Sequence, residues 1–208
     1  MDMKNPVFVI LLASFALVVA CGGGESYDAM SEAEPMAETF SLGGGTAMEV
    51  HPGDAGSPHV KVDWVVNAAK ISLTYGRPYL RDRVVGESVE PMSDRWWRLG
   101  ADEATTLMTD TDLILGGTHI PAGEYTLFTQ HMGDEFHLIV NSETGQWGLS
   151  YNPEHDLAHI PMNVTELDPP ADQLTLWIEV VEDDETAGEG ELGFEWGQMA
   201  ASVELMVY

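Results

Sequence analysis

The chain has 208 residues, enough for one domain with appendages or for two small domains. Hydrophobic residues make up 44%, with 21 Gly and 11 Pro, which suits a globular chain rich in turns and excludes collagen, coiled coil and full-length disorder. Eight Lys and Arg against 35 Asp and Glu give a formal charge of -27, a field that repels phosphate backbones and excludes nucleic-acid partners, while one Cys excludes an internal disulfide.

Lys4 precedes an apolar run from Val7 to Ala20, interrupted only by Ser14. At 1.5 Å per residue such a run covers roughly 21 Å, short of the ~30 Å hydrocarbon core, so a signal-peptide core is expected over 1–20 rather than a membrane span. Its end, Leu17-Val18-Val19-Ala20-Cys21, resembles the bacterial lipobox, which implies cleavage before Cys21 and acylation of that residue. The sole cysteine stands where this chemistry needs it. Gly22 follows, with no Asp to signal inner-membrane retention. The expected location is therefore the outer membrane, facing the periplasm, with the membrane as a partner through the lipid.

Residues 21–58 read as a lipidated Cys and a disordered acidic tether. Gly22-Gly23-Gly24 and Gly43-Gly44-Gly45 are flexible, Glu25, Asp28, Glu32, Glu34 and Glu38 repel one another, and no apolar period is sustained. His51 and His59 fall in or near this tether.

From 59 to 208 short alternating runs recur between turn signals. Ile71, Leu73 and Tyr75 share one face of a strand. Leu113-Ile114-Leu115 runs into a Gly116-Gly117 turn. Further strands are expected at 96–99, 105–108, 125–129, 136–140, 160–164 and 174–180, and 192–196 pairs with 202–208 as a last hairpin. Together they predict an all-β domain, an antiparallel β-sandwich of jelly-roll-like type. A membrane barrel ending in Tyr208 is the rival; it would put Glu204 on the lipid face, which is costly.

Four stretches bear a resemblance: ISLTYGRPYLRDR (71–83), WWRLGADEATTL (96–107), PAGEYTLFTQ (121–130) and LIVNSETGQWG (138–148). In this order and spacing they resemble the bacterial family known as domain of unknown function 2911. The resemblance spans 60 to 208, matching more loosely at LGFEWGQMAASVEL. It implies an all-β domain in the cell envelope and no established activity. Asp102 stands where that family commonly has Asn.

Arg77, Arg81, Arg83, Arg95 and Arg98 are five of the eight basic residues, and none follows Arg98 in 110 residues that hold 22 acids. Two readings stand. The arginines pair with Asp82, Glu87, Glu90, Asp94, Asp102 and Glu103 to hold a long connection on the sheet. Alternatively their planar donor forks line a pocket for an anionic group. If 96–99 is a strand, Trp96 and Arg98 face one way and Trp97 and Leu99 the other. Arg77, Arg81, Trp97, Arg98 and Glu103 are thus the candidate ligand-binding residues, for a polar or anionic small molecule or a glycan. Arg98 and Glu103 form either a buried structural pair or the lining of an open site.

No metal site is expected. Pro153 and Pro161 bracket His155 and His159, and His131 and His137 could face each other across a hairpin without an evident third ligand. The acids Glu182 to Glu185 read as a solvated hairpin tip. No Gly-x-Ser-x-Gly elbow or phosphate-cradling loop occurs, so no catalytic residue and no cofactor is expected. The leading functional reading is a non-enzymatic binding module for a small molecule, glycan or envelope partner. The alternatives are a hydrolase or isomerase centred on Arg98 and Glu103, and a purely structural envelope protein.

Overall fold

The computed structural model describes residues 38–54, 56–181 and 188–207. Twelve strands appear there: β1 (Thr39–Leu42), β2 (Gly45–His51), β3 (His59–Val66), β4 (Ala69–Gly76), β5 (Thr105–Thr109), β6 (Leu113–Leu115), β7 (Thr118–Ile120), β8 (Gly123–Met132), β9 (Glu135–Asn141), β10 (Asp156–Pro161), β11 (Asn163–Val180) and β12 (Glu189–Val207). They form an eight-stranded sheet in the order β1-β2-β3-β4-β5-β8-β9-β10 and a four-stranded sheet in the order β11-β12-β6-β7, every pairing antiparallel. The expected β-sandwich is present, and the sheets do not close into a barrel. Its larger sheet is a meander with one excursion, the β6–β7 hairpin, simpler than the interleaving of a jelly roll.

Alternation explains how the sheets face each other. On β3, Val60, Val62, Trp64 and Val66 are buried while Asp63 and Val65 are exposed. Ile71, Leu73 and Tyr75 bury the matching face of β4. Leu174, Leu176 and Ile178 from β11 and Phe194, Trp196 and Leu205 from β12 join them in a single core cluster. Each such side chain contributes about 1.5–3 kcal/mol on burial. A smaller cluster of Ala104, Phe128 and Ile139 lies under Trp96 and Tyr151. Leu127 and Phe128 are neighbours on β8 yet belong to different clusters, so both faces of that strand are covered.

Four sequence expectations change. The tether does not extend to 58: residues 39–51 form the first hairpin and pair with β3. Its turn is Gly43-Gly44, with φ of +55° and +81°. The Trp64 indole N–H donates to the Gly43 carbonyl at 2.9 Å. Those glycines are there for left-handed backbone and close approach, not for looseness.

The last hairpin is instead one strand. β12 runs unbroken from Glu189 to Val207, pairing with β11 over its first part and with β6 at its end. Gly197, at φ +58°, lies where the β11–β12 register shifts, so it marks an irregularity within the strand rather than a turn. The run 160–164 divides at Met162 between β10 and β11, which belong to different sheets. Residues 96–99 make only an isolated bridge, Trp97 to Thr129, because Leu99 turns to φ +52°. Cys21, the tether up to residue 37, Glu182 to Glu185 and Tyr208 lie outside the described residues.

The connection 77–104 sets up the sheet end where the candidate residues meet. Tyr79 bridges Gln173, and the Leu80 N–H donates to the Asp172 carbonyl at 2.7 Å. The Trp196 indole donates to the Glu90 carbonyl at 2.8 Å. These contacts lay the connection against β11 and β12 of the smaller sheet.

Candidate functional site

The five arginines do not converge. The Arg77 Nε donates to the Leu174 carbonyl at 3.0 Å and its guanidinium to the Thr175 hydroxyl at 3.1 Å, tying β4 to β11. Arg83 donates to the carbonyls of Leu80 and Tyr79. Arg95 pairs with Glu90 at 2.6 Å, the one ion pair made by these arginines among the described residues. Arg81 sits exposed at φ +54°, in a small recess with Gly56 and Tyr79. Trp97 is core: it is buried, meets Phe194 edge-on at 5.8 Å and donates its indole N–H to the Gly100 carbonyl. The anion pocket drawn from the arginine cluster is therefore not assembled.

Arg98 and Glu103 also separate. The Arg98 side chain packs on Gly148, where any Cβ would collide with it. Its Nε is buried without a partner. Burial pushes the guanidinium below the usual arginine range, against the pull of the Asp102, Glu90 and Glu103 carboxylates. Glu103 turns instead toward two histidines. Its Oε2 lies 2.7 Å from the Nε2 of His59, and its Oε1 lies 3.7 Å from the Nε2 of His51. Of the two readings of Arg98 and Glu103, the buried structural pair does not form.

The local fold explains this gathering. His59 opens β3 and stands opposite His51 on β2 and Gly76 on β4. A Cβ at Gly76 would lie 2.7 Å from the His59 ring and would also strike the Ala101 carbonyl. Gly76 thus makes room for the ring and lets loop 99–103 dock, with the Ala101 N–H donating to the Gly76 carbonyl at 3.2 Å. The loop turns on two left-handed residues, Leu99 at φ +52° and Asp102 at φ +60°. Asn and Asp tolerate that conformation best after Gly, so Asp102 suits this position. The Asp102 carboxylate accepts the Asp54 N–H at 2.9 Å, and its carbonyl accepts the Gly148 N–H at 3.0 Å.

The result is a groove of about 320 Å³ at the end of the larger sheet, lined by His51, Pro52, Gly53, Asp54, Asp102, Glu103 and Trp147. Two imidazoles stack on one side, centroids 4.2 Å apart and planes 17° apart. His59 is 2% exposed; His51 and Glu103, at 41% and 46%, face solvent. Trp147, bridged to Glu103, forms the outer wall. A larger cleft of about 1190 Å³ lies beside the β1–β2 turn, but Asp63, Glu179 and Glu195 are its only charged groups and no imidazole reaches it. Of the candidate residues read from sequence only Glu103 lines the 320 Å³ groove; His51, His59 and Asp102 were missed as site residues. The His-Val-Lys-Val-Asp-Trp alternation at 59–64 was the available sign that His59 belongs to a strand.

A family model described as a protein of unknown function, DUF2911, matches residues 57–205. The chain belongs to this family. No curated protein and no solved structure matches it. The match begins at residue 57, so the β1–β2 hairpin, and His51 with it, stands outside the stretch that the DUF2911 model covers.

Proposed function

We propose that this DUF2911 protein is a binding module of the cell envelope, held to the outer membrane by lipid on Cys21, and that the groove at Glu103 is its ligand site. One observation carries the choice of site. Side chains far apart in sequence, from β2, β3 and loop 99–103, converge on an open groove in which a buried carboxylate oxygen of Glu103 lies 2.7 Å from His59 Nε2 yet accepts no well-aligned hydrogen bond. Buried acceptors are nearly always satisfied, so an unsatisfied one beside solvent is a place for a ligand. Asp54, Asp102 and Glu103 make the groove acidic, which disfavours an anionic ligand and favours a cationic or neutral polar one.

Two measurements test this reading. Labelling with a fatty-acid analogue should mark the wild type and leave Cys21→Ser unmarked; equal labelling of both removes the anchor. A thermal-shift panel of zinc chloride, putrescine and N-acetylglucosamine should contain a probe that raises the melting temperature of the wild type and not of Glu103→Gln. A panel without such a probe removes the groove as a site.

A further inference from the structure

We infer that the ligand of the groove is a divalent transition-metal ion of the zinc class, bound by His59 Nε2 and Glu103 Oε2 with His51 Nε2 completing the set. The inference rests on the groove being a binding site. The three side chains offer one ligand atom each, and these atoms lie within 4.8 Å of one another.

The spacing of His59 Nε2 and Glu103 Oε2 suits two ligands of one ion as well as it suits an ion pair, and His51 Nε2, 3.7 Å from Glu103 Oε1, has to move inward to join them. Two ligands each about 2.1 Å from an ion, 80–110° apart, stand roughly 2.7–3.4 Å from one another. His59 Nε2 and Glu103 Oε2 are 2.7 Å apart. Yet Glu103 Oε2 accepts no hydrogen bond, so it lies off the line of the ring N–H, beside the nitrogen. The Ala101 carbonyl is the present hydrogen-bond partner of the same nitrogen at 3.1 Å, so an ion bound to Nε2 replaces that bond.

The tautomer agrees. His59 Nδ1 faces the Ser57 carbonyl at 3.2 Å. A proton held there leaves Nε2 as the ligating atom, the usual outer-shell arrangement of a metal-bound histidine.

His51 is the exchangeable ligand. Its Nδ1 accepts the Gly53 N–H at 3.1 Å, which places the proton of the neutral ring on Nε2. Ligation requires the ring to change tautomer, the proton moving from Nε2 to Nδ1, and the Gly53 contact to give way. Loss of His51 therefore weakens binding where loss of Glu103 ends it. Two imidazoles and one carboxylate select zinc, copper(II) or nickel(II); calcium and magnesium prefer oxygen ligands throughout.

The test uses tag-free, chelator-treated protein titrated with zinc chloride by calorimetry, with excess magnesium present to occupy the acidic surface. One zinc per chain is expected in the wild type. Binding should vanish in Glu103→Gln, weaken about tenfold or more in His51→Ala, and stay unchanged in His119→Ala, whose ring pairs with Asp112 elsewhere. Both groove variants alter half-exposed side chains, and thermal melts confirm their folding. Cobalt(II) substitution should give visible absorption that is lost in the same variants. An absence of zinc binding to the wild type, or full binding by Glu103→Gln, overturns the inference. If putrescine or N-acetylglucosamine needs Glu103 and zinc does not bind, the metal falls and the groove stands as a site; if no probe binds, both fall.

Discussion

At residue scale the carboxylates of this chain divide by their partners. Asp110 accepts the Lys70 N–H at 2.7 Å and the Thr111 hydroxyl at 3.1 Å. Its carboxyl lies below the usual range, chiefly through the Lys70 backbone bond. Asp112 is shifted the same way, first by the Ala122 N–H and then by His119. A carboxylate with a depressed folded value binds its proton more tightly in the unfolded chain. Its contribution is present above the unfolded value of about 3.9 and is lost as pH falls through the folded one. Asp110→Ala should therefore lower the melting temperature at neutral pH, and the gap from wild type should close as the buffer is taken below about pH 3. A gap of constant size across that range would show that the side chain acts through shape and not through its charge.

At the scale of elements, the β1–β2 hairpin shows how a glycine's surroundings, and not only its conformation, set its cost. A Cβ at Gly43 would collide with the Leu176 carbonyl and lie 2.9 Å from the Trp177 Cα, whereas one at Gly117 would meet nothing within 4 Å. Both residues have positive φ. Gly117→Ala should cost about 1–2 kcal/mol, the left-handed penalty alone. Gly43→Ala adds a backbone collision and should cost clearly more in urea unfolding. Equal costs would mean that the hairpin does not press on β11.

The same elements show what the sequence could disclose. Strands flanked by turns, such as β4 and the β6–β7 hairpin, were readable because alternation and turn residues are local signals. The β1–β2 hairpin was read as tether because a glycine run looks the same whether it is loose or built to pack under Trp64. The continuity of β12 was hidden because a glycine with positive φ reads as a turn whether or not the strand continues past it. The site was half legible. Glu103 stood out in a stretch resembling the family, but its partners His51 and His59 come from two strands brought together by pairing across the sheet. No spacing along the chain announces that.

At the scale of the whole molecule charge dominates. Among the described residues, Lys61–Asp63 and Arg95–Glu90 are the only Lys or Arg ion pairs, against a formal charge of -27. The sheets themselves hold repulsions. Glu179 on β11 and Glu191 on β12 are exposed and stand directly opposite in register. They share one cleft with Glu189 and Glu204. Like charges facing across strands destabilise a sheet where opposite charges stabilise it, by roughly 0.2–1 kcal/mol per pair. Screening acts on the same term, since the Debye length shrinks from about 10 Å at 0.1 M salt to about 3 Å at 1 M. The wild type should therefore melt at a higher temperature as sodium chloride is raised through that range. Glu191→Lys, which turns the facing pair from repulsive to attractive, should be more stable than the wild type at low salt, and the advantage should shrink as salt is added. If salt acted through general exclusion from the protein surface, both proteins would rise in parallel and the difference between them would persist at 1 M. A converging pair of curves assigns the effect to the acidic sheet face, and a parallel pair removes that assignment.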